Sequence, residues 1–269
     1  MYRRPEIMRS TKGFPIVCAV FYAVGVILAV GLKYHYSVSG SEDLRWVLSP
    51  TAWVVQRLTT ISFEWEEHTG FVSRTFGVII APSCAGVNFL IIAFSTLYFT
   101  TIRLMPSVTW KGLWLGIAFG ISYILTIGVN GVRIVAAVFL YQADIYGGWV
   151  TPERVHRIEG TLIYFSALLM AHQVVTRTVN LFISRGPGKA LKWSLLVPFL
   201  WYCLIALGIP LLNNGPVQGG LRFIEHGVLV LFMCAGVLIV FIAVAFLYQS
   251  AAARIGHGRR GDSHTEGVV

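Results

Sequence analysis

Three side chains able to do chemistry together stand far apart in the sequence: Cys84 in "APSCAGVNFLIIAF", Arg133 in "VNGVRI" and His156 in "PERVHRIEG". A thiol reacts as its thiolate, which the positive end of a helix dipole favours, and the spacing places Cys84 in the first turn of a helix. The His156 imidazole is suited to take the thiol proton and return it to a leaving amine. Arg133 stays charged and cannot serve as a base, but its guanidinium suits an oxyanion or a substrate carbonyl. Three further residues are supporting candidates. Asn130 shares a helical face with Arg133, Asn88 lies one turn after Cys84, and Glu159 stands at i+3 from His156, placed to fix its tautomer. Taken singly, each of the three main residues has a plainer reading: a helix-end filler, a snorkelling anchor and a polar cap.

These residues meet only if the elements carrying them bring them to one depth. Of 269 residues 56% are hydrophobic and 12% charged, half the charge of a typical soluble domain, which has about 25%. With a mean hydropathy of +0.71 this is an all-α polytopic membrane protein. Spans of about 20 apolar residues are expected at 14–32, 85–103, 112–132, 158–176, 193–212 and 226–249, making six transmembrane helices. The third apolar run continues to Leu140, so its helix either protrudes or breaks near "VNGVR". With the N-terminus inside, the inner segments hold 13 of 21 basic residues and 3 of 12 acidic ones, which favours N-in, C-in. Cys84, Arg133 and His156 then all fall at the outer ends of helices.

Before the cysteine, "SPTAWVVQRLTTI" reads as an extracytoplasmic interfacial helix with Pro50 in its first turn. "SFEWEEHTGFVSRTFGVII" reads as a small β-hairpin. Thr151-Pro152-Glu153 is a helix start. The net charge of +9 sits in short loops, as topology signals do, so no nucleic acid is expected as a partner. Cys18, Cys203 and Cys234 lie inside apolar runs. Neither a metal nor a cofactor is expected, because Glu66, Glu67 and His68 alternate across a strand and His156-x-x-Glu159 lacks further ligands. His172, 16 residues from His156, lies ~24 Å along the helix and cannot share its site.

The ordered pieces "LSPTAWVV", "PSCAGVNFL", "NGVRI" and "HRIEG", over about residues 44 to 170, resemble the exosortase/archaeosortase family of membrane cysteine transpeptidases. The "SCAGVNFL" form is most similar to the exosortase K branch. The resemblance implies an exosortase-like catalytic membrane core over 1–180; two additional transmembrane helices of unknown role are expected within 181–252, where no family motif is matched, and the polar, Gly-rich stretch 253–269 is expected to be a disordered basic tail. It implies Cys84 as nucleophile, Arg133 as the oxyanion or carbonyl contact and His156 as acid and base. It also implies a bacterial inner-membrane protein whose site faces outward. The expected substrates are exported proteins ending in a short motif, a membrane helix and a basic cluster, with the new C-terminus passed to an acceptor that the sequence does not identify, a lipid or a glycan being candidates. Simple hydrolysis of the same thioester is the nearest alternative, and a transporter or assembly protein the more distant one. The near absence of charge at the helix centres counts against transport.

Overall fold

The computed structural model describes residues 14–143, 145–148, 150–183, 191–208 and 220–262. Residues 1–13, 144, 149, 184–190, 209–219 and 263–269 lie outside these, and with them the basic N-terminal residues and part of the expected tail. The described helices are α1 (Phe14–Val38), α2 (Arg45–Leu58), α3 (Val87–Thr101), α4 (Val108–Gln142), α5 (Pro152–Phe182), α6 (Leu191–Cys203) and α7 (Gly220–Asp262). Strands β1 (Glu64–Glu66), β2 (Gly70–Ser73) and β3 (Val78–Ile80) lie between α2 and α3. Five spans are long and apolar enough to cross a membrane: Ile16–Val38, Pro82–Leu104, Val108–Gln142, Pro152–Phe182 and Ile224–Leu247. The protein is a polytopic, mostly helical membrane protein. The expected span at 193–212 is described only in part, as a shorter apolar helix, Leu195–Gly208, that ends in a π-helical turn. The chain forms two compact units, Met1–Gln218 and Gly219–Val269.

The first unit is built around α3. Every residue from Phe89 to Tyr98 is buried, because α1, α4, α5 and α6 all pack against this helix. Small residues permit the approach. A Cβ on Gly25 of α1 would stand 2.4 Å from Tyr98 Cε1, and the Tyr98 hydroxyl donates to the Phe21 carbonyl at 2.8 Å. At the other end, Lys111 is buried and its Nζ donates to the carbonyls of Ile102 and Met105 at 3.2 and 2.7 Å. A lysine read from sequence as a topology signal thus also closes the α3–α4 turn, satisfying carbonyls that a helix end leaves open.

Helix α4 runs unbroken through Asn130-Gly131. At 1.5 Å per residue it reaches ~52 Å and extends past a ~30 Å hydrocarbon layer. Gly131 is needed not as a hinge but for contact: a Cβ there would lie 2.5 Å from Val54 Cγ1 of α2. Helix α2 begins at Arg45, so Pro50 falls inside it rather than in its first turn. Proline has no N–H to give the Trp46 carbonyl four residues back. The Tyr123 hydroxyl of α4 supplies that hydrogen bond at 2.7 Å, and its ring stacks on Trp46.

The expected hairpin is a three-stranded antiparallel sheet in the order β1-β2-β3. The added strand follows a turn in which Gly77 takes a φ of +65°, returning Val78–Ile80 to pair with Phe71–Ser73. Gly131→Ala should destabilise the protein by about 1–3 kcal/mol through overpacking, read as a drop in unfolding temperature in detergent. Adding Val54→Ala should recover most of the loss; a Gly131→Ala variant as stable as the parent would contradict the close α2–α4 contact.

Candidate functional site

Cys84 closes a 3-10 turn, Pro82–Cys84, instead of opening α3. Its N–H donates to the Ala81 carbonyl at 2.8 Å. Gly86, at φ +73°, is the N-cap, and the helix starts at Val87. The first-turn placement expected from sequence therefore fails, because a left-handed residue separates the thiol from the helix. Only glycine fits at 86: besides its φ, a Cβ there would stand 3.0 Å from Asn130 Cγ.

Asn130 holds this cysteine loop against the bundle. The amide is fully buried in α4. Its Nδ2 donates to the Cys84 carbonyl at 2.6 Å, and its Oδ1 accepts from the Tyr164 hydroxyl at 2.6 Å. Tyr164, from α5, stacks on Phe89 with centroids 4.5 Å apart and accepts from Arg133 Nη1 at 3.3 Å. Arg133 is buried and its Nη2 donates to His156 Nε2. A guanidinium can only donate, so His156 Nε2 is the acceptor and the ring proton lies on Nδ1. That nitrogen faces Glu159 Oε2 at 3.7 Å. Gly160 lets the arginine lie along α5, since a Cβ there would come within 3.0 Å of Arg133 Nε.

The contacts form one chain: the Cys84 backbone, Asn130, Tyr164, Arg133, His156 and, beyond it, Glu159. The Cys84 side chain is half-buried, and its neighbours Ser83 and Gly86 line the cavity beside Arg133 and His156. Ser83 Oγ lies 4.0 Å from Cys84 Sγ. A cavity of about 240 Å³ opens beside these groups, lined among others by Tyr36, Ser83, Asn88, Arg133, His156 and Tyr164. Arg133 thus presents a charge-holding fork to a space that also touches the cysteine loop and the imidazole.

Asn88 lines the same cavity, but its Oδ1 accepts from Lys33 Nζ of α1 at 3.0 Å, which commits it to holding α1. Glu159 is buried, with no hydrogen bond at either carboxyl oxygen. His172 is fully buried within α5, among the residues that pack the bundle. Among the described residues, no group of three His, Cys, Asp or Glu side chains could hold a metal ion. Thr151 caps α5 as expected, its side chain accepting from the Arg154 N–H, with Pro152 and Glu153 in the first turn. Sequence reasoning overlooked Tyr164. The available sign was spacing: His156, Gly160 and Tyr164 follow one another at four-residue steps along one face of α5.

Fold and site together define a multi-pass membrane protein that gathers a cysteine loop, an arginine and a histidine around one cavity. The family model described as Transmembrane exosortase (Exosortase_EpsH) matches residues 9–172, well over half of the chain, and the chain belongs to this family. No curated protein and no solved structure matches it.

Removing the hydroxyl in Tyr164→Phe leaves the buried Asn130 Oδ1 without its donor, which should cost about 1–3 kcal/mol. Asn130→Ala should cost a similar amount. Because the two share one hydrogen bond, the double variant should depart from additivity by more than about 0.5 kcal/mol in detergent unfolding. Strict additivity would contradict the network.

Proposed function

We propose that the protein is a membrane cysteine transpeptidase acting on exported proteins. Its substrates end in a short recognition motif, an apolar helix and a basic cluster. The reading is supported by membership of the transmembrane exosortase family and, within the chain, by Arg133 joining His156 to the network that holds the Cys84 loop. The site faces the extracytoplasmic side of a bacterial inner membrane, in keeping with the distribution of lysine and arginine. A substrate with its own membrane helix is confined to two dimensions, so its cleavage motif arrives at a fixed depth without tight motif contacts.

The chemistry follows from the residues. In the resting arrangement Arg133 occupies His156 Nε2. A scissile carbonyl entering the cavity offers the guanidinium a new acceptor and frees the imidazole nitrogen. His156 then takes the Cys84 proton, and the thiolate attacks the carbonyl carbon. The oxyanion formed is held by Arg133. As the C–N bond breaks, His156 gives the proton to the leaving amine, and an acyl thioester remains on Cys84. Attack by an acceptor completes transfer; attack by water would complete hydrolysis. Tyr164 and Asn130 act as positioning residues, the first fixing the guanidinium and the second the cysteine loop.

The test uses a co-expressed exported protein that ends in a short motif, an apolar helix and a basic cluster. Cys84→Ala should abolish its processing while membrane insertion stays normal. Arg133→Lys should slow processing by about 10²-fold or more, the scale of losing an oxyanion donor, because an ammonium cannot reproduce the planar fork. His156→Ala should be impaired as well. The product should carry the mass of an acceptor at its new C-terminus; a free carboxylate would assign hydrolysis. Full processing in Cys84→Ala would end the thiol mechanism.

A further inference from the structure

The span that matches the family ends at residue 172, yet one wall of the cavity beside Arg133 comes from beyond it: Tyr202 of α6. Ring contacts hold this helix against the two helices that carry the site. Trp201 stacks on Phe99 of α3 with centroids 5.0 Å apart, and Tyr202 meets Phe165 of α5 edge to face at 5.3 Å. Phe199 meets the same Phe165 ring at 6.2 Å but does not line the cavity. The Tyr202 side chain is buried. A π-helical turn, Leu204–Gly208, follows α6, and such turns frequently accompany functional sites.

The cavity has a direction. Along α5 it is lined by His156, Arg157, Gly160, Thr161 and Tyr164, which share one helical face. Tyr164, eight residues from His156, lies ~12 Å farther along the helix. Arg133 bridges this stretch, with one nitrogen on His156 and another on Tyr164. Tyr202 packs on the residue after Tyr164 and so closes the end farther along α5, the end toward the bilayer when the site faces outward. A substrate cut at Arg133 continues into its own membrane helix, so its leaving side runs past Tyr202 and its acyl side toward Arg157. We propose that Tyr202 is a specificity-determining residue: its ring touches the substrate where the motif passes into the apolar helix and limits the size of the first side chain after the scissile bond. At about 240 Å³ the cavity is smaller than common ligand clefts of ~300–1,000 Å³, so a bulky side chain at that point meets the ring. The proposal rests on the transpeptidase reading above and deepens it by assigning α6 to the site.

This placement has a kinetic signature. Once the thioester has formed, the leaving segment is gone and only the acyl half stays on Cys84. Tyr202 therefore governs how fast the thioester forms and not how fast it is resolved. A residue that only braced the bundle would change both steps alike and would not distinguish one leaving side chain from another. Phe199, which shares the Phe165 contact without reaching the cavity, is the bracing control.

The test compares two forms of one substrate protein in nanodiscs with the full chain, carrying alanine or tryptophan as the first residue after the cleaved bond. Formation of the Cys84 adduct and its decay are timed separately. The parent should acylate from the alanine form at least about tenfold faster than from the tryptophan form, the scale on which a pocket discriminates by size. Tyr202→Ala should bring that ratio toward unity, Tyr202→Phe should keep it, and Phe199→Leu should keep it. Decay should be the same for both forms in every variant. The ratio compares two substrates on one preparation, so partial loss of folded protein cancels, and Tyr202→Leu, expected to shift the ratio the same way, serves if Tyr202→Ala does not accumulate. An unchanged ratio in the variant lacking the ring, or an equal change in Phe199→Leu, overturns the proposal. A second arm needs no turnover: Cys84→Ala protein is illuminated with substrate bearing a diazirine leucine at the junction of motif and helix. Label is expected on the segment 199–205; label on 152–157 in its place overturns the proposal. Because this arm does not use the thiol, label on 199–205 with no adduct on Cys84 would end the thioester reading and leave the Tyr202 contact standing.

Discussion

The hydrogen bond from the Asn130 amide to the Cys84 carbonyl is the constraint on which the site depends. The cysteine loop is short and irregular, and irregular backbone at membrane depth survives only where protein groups or a cavity satisfy it. Asn130 does so from a fully buried position on α4. Its other end is fixed by Tyr164, which is stacked on Phe89 of α3 and bonded to Arg133. The loop, α3, α4 and α5 are therefore tied through one side chain. A shift of any of them moves the thiol, the guanidinium or the imidazole relative to the others.

Glycines make this arrangement possible at two points of contact. Gly86 turns the chain left-handed and leaves room for the Asn130 amide, while Gly160 leaves room for Arg133 along α5. The arginine has two partners in the resting structure, a tyrosine hydroxyl and an imidazole nitrogen. The first fixes its position, and the proposed mechanism requires the second to be exchangeable. In the proposed mechanism a guanidinium held this way donates to a developing oxyanion without repacking, which is the sense in which electrostatic groups are preorganised. His156 lines two cavities, the one beside Arg133 being the more polar of the two.

Much of the fold was legible because apolar run length is a strong sign in a membrane protein: the long helices were found from it, and the N-cap at Thr151 from local chemistry alone. What escaped depended on partners distant in sequence. Pro50 suggested a helix start, but Tyr123, 77 residues away, repairs the hydrogen bond that the proline breaks, so α2 begins earlier. The third strand was missed because three residues, Val78–Ile80, are too few to show a period. The types at 84, 130, 133 and 156 marked them as candidates in the sequence; Tyr164, a tyrosine in an apolar run, was not marked. Asn88 was indistinguishable from Asn130 by type and spacing, and only the position of Lys33 separates their roles.

The most direct measurement is peptide mapping of the enzyme by mass spectrometry after incubation with a substrate protein bearing the full C-terminal signal, with no acceptor added. The account predicts a covalent acyl adduct on the peptide containing Cys84, released by neutral hydroxylamine as a thioester is. An adduct on another residue, or complete substrate cleavage through a route that never acylates Cys84, would contradict it.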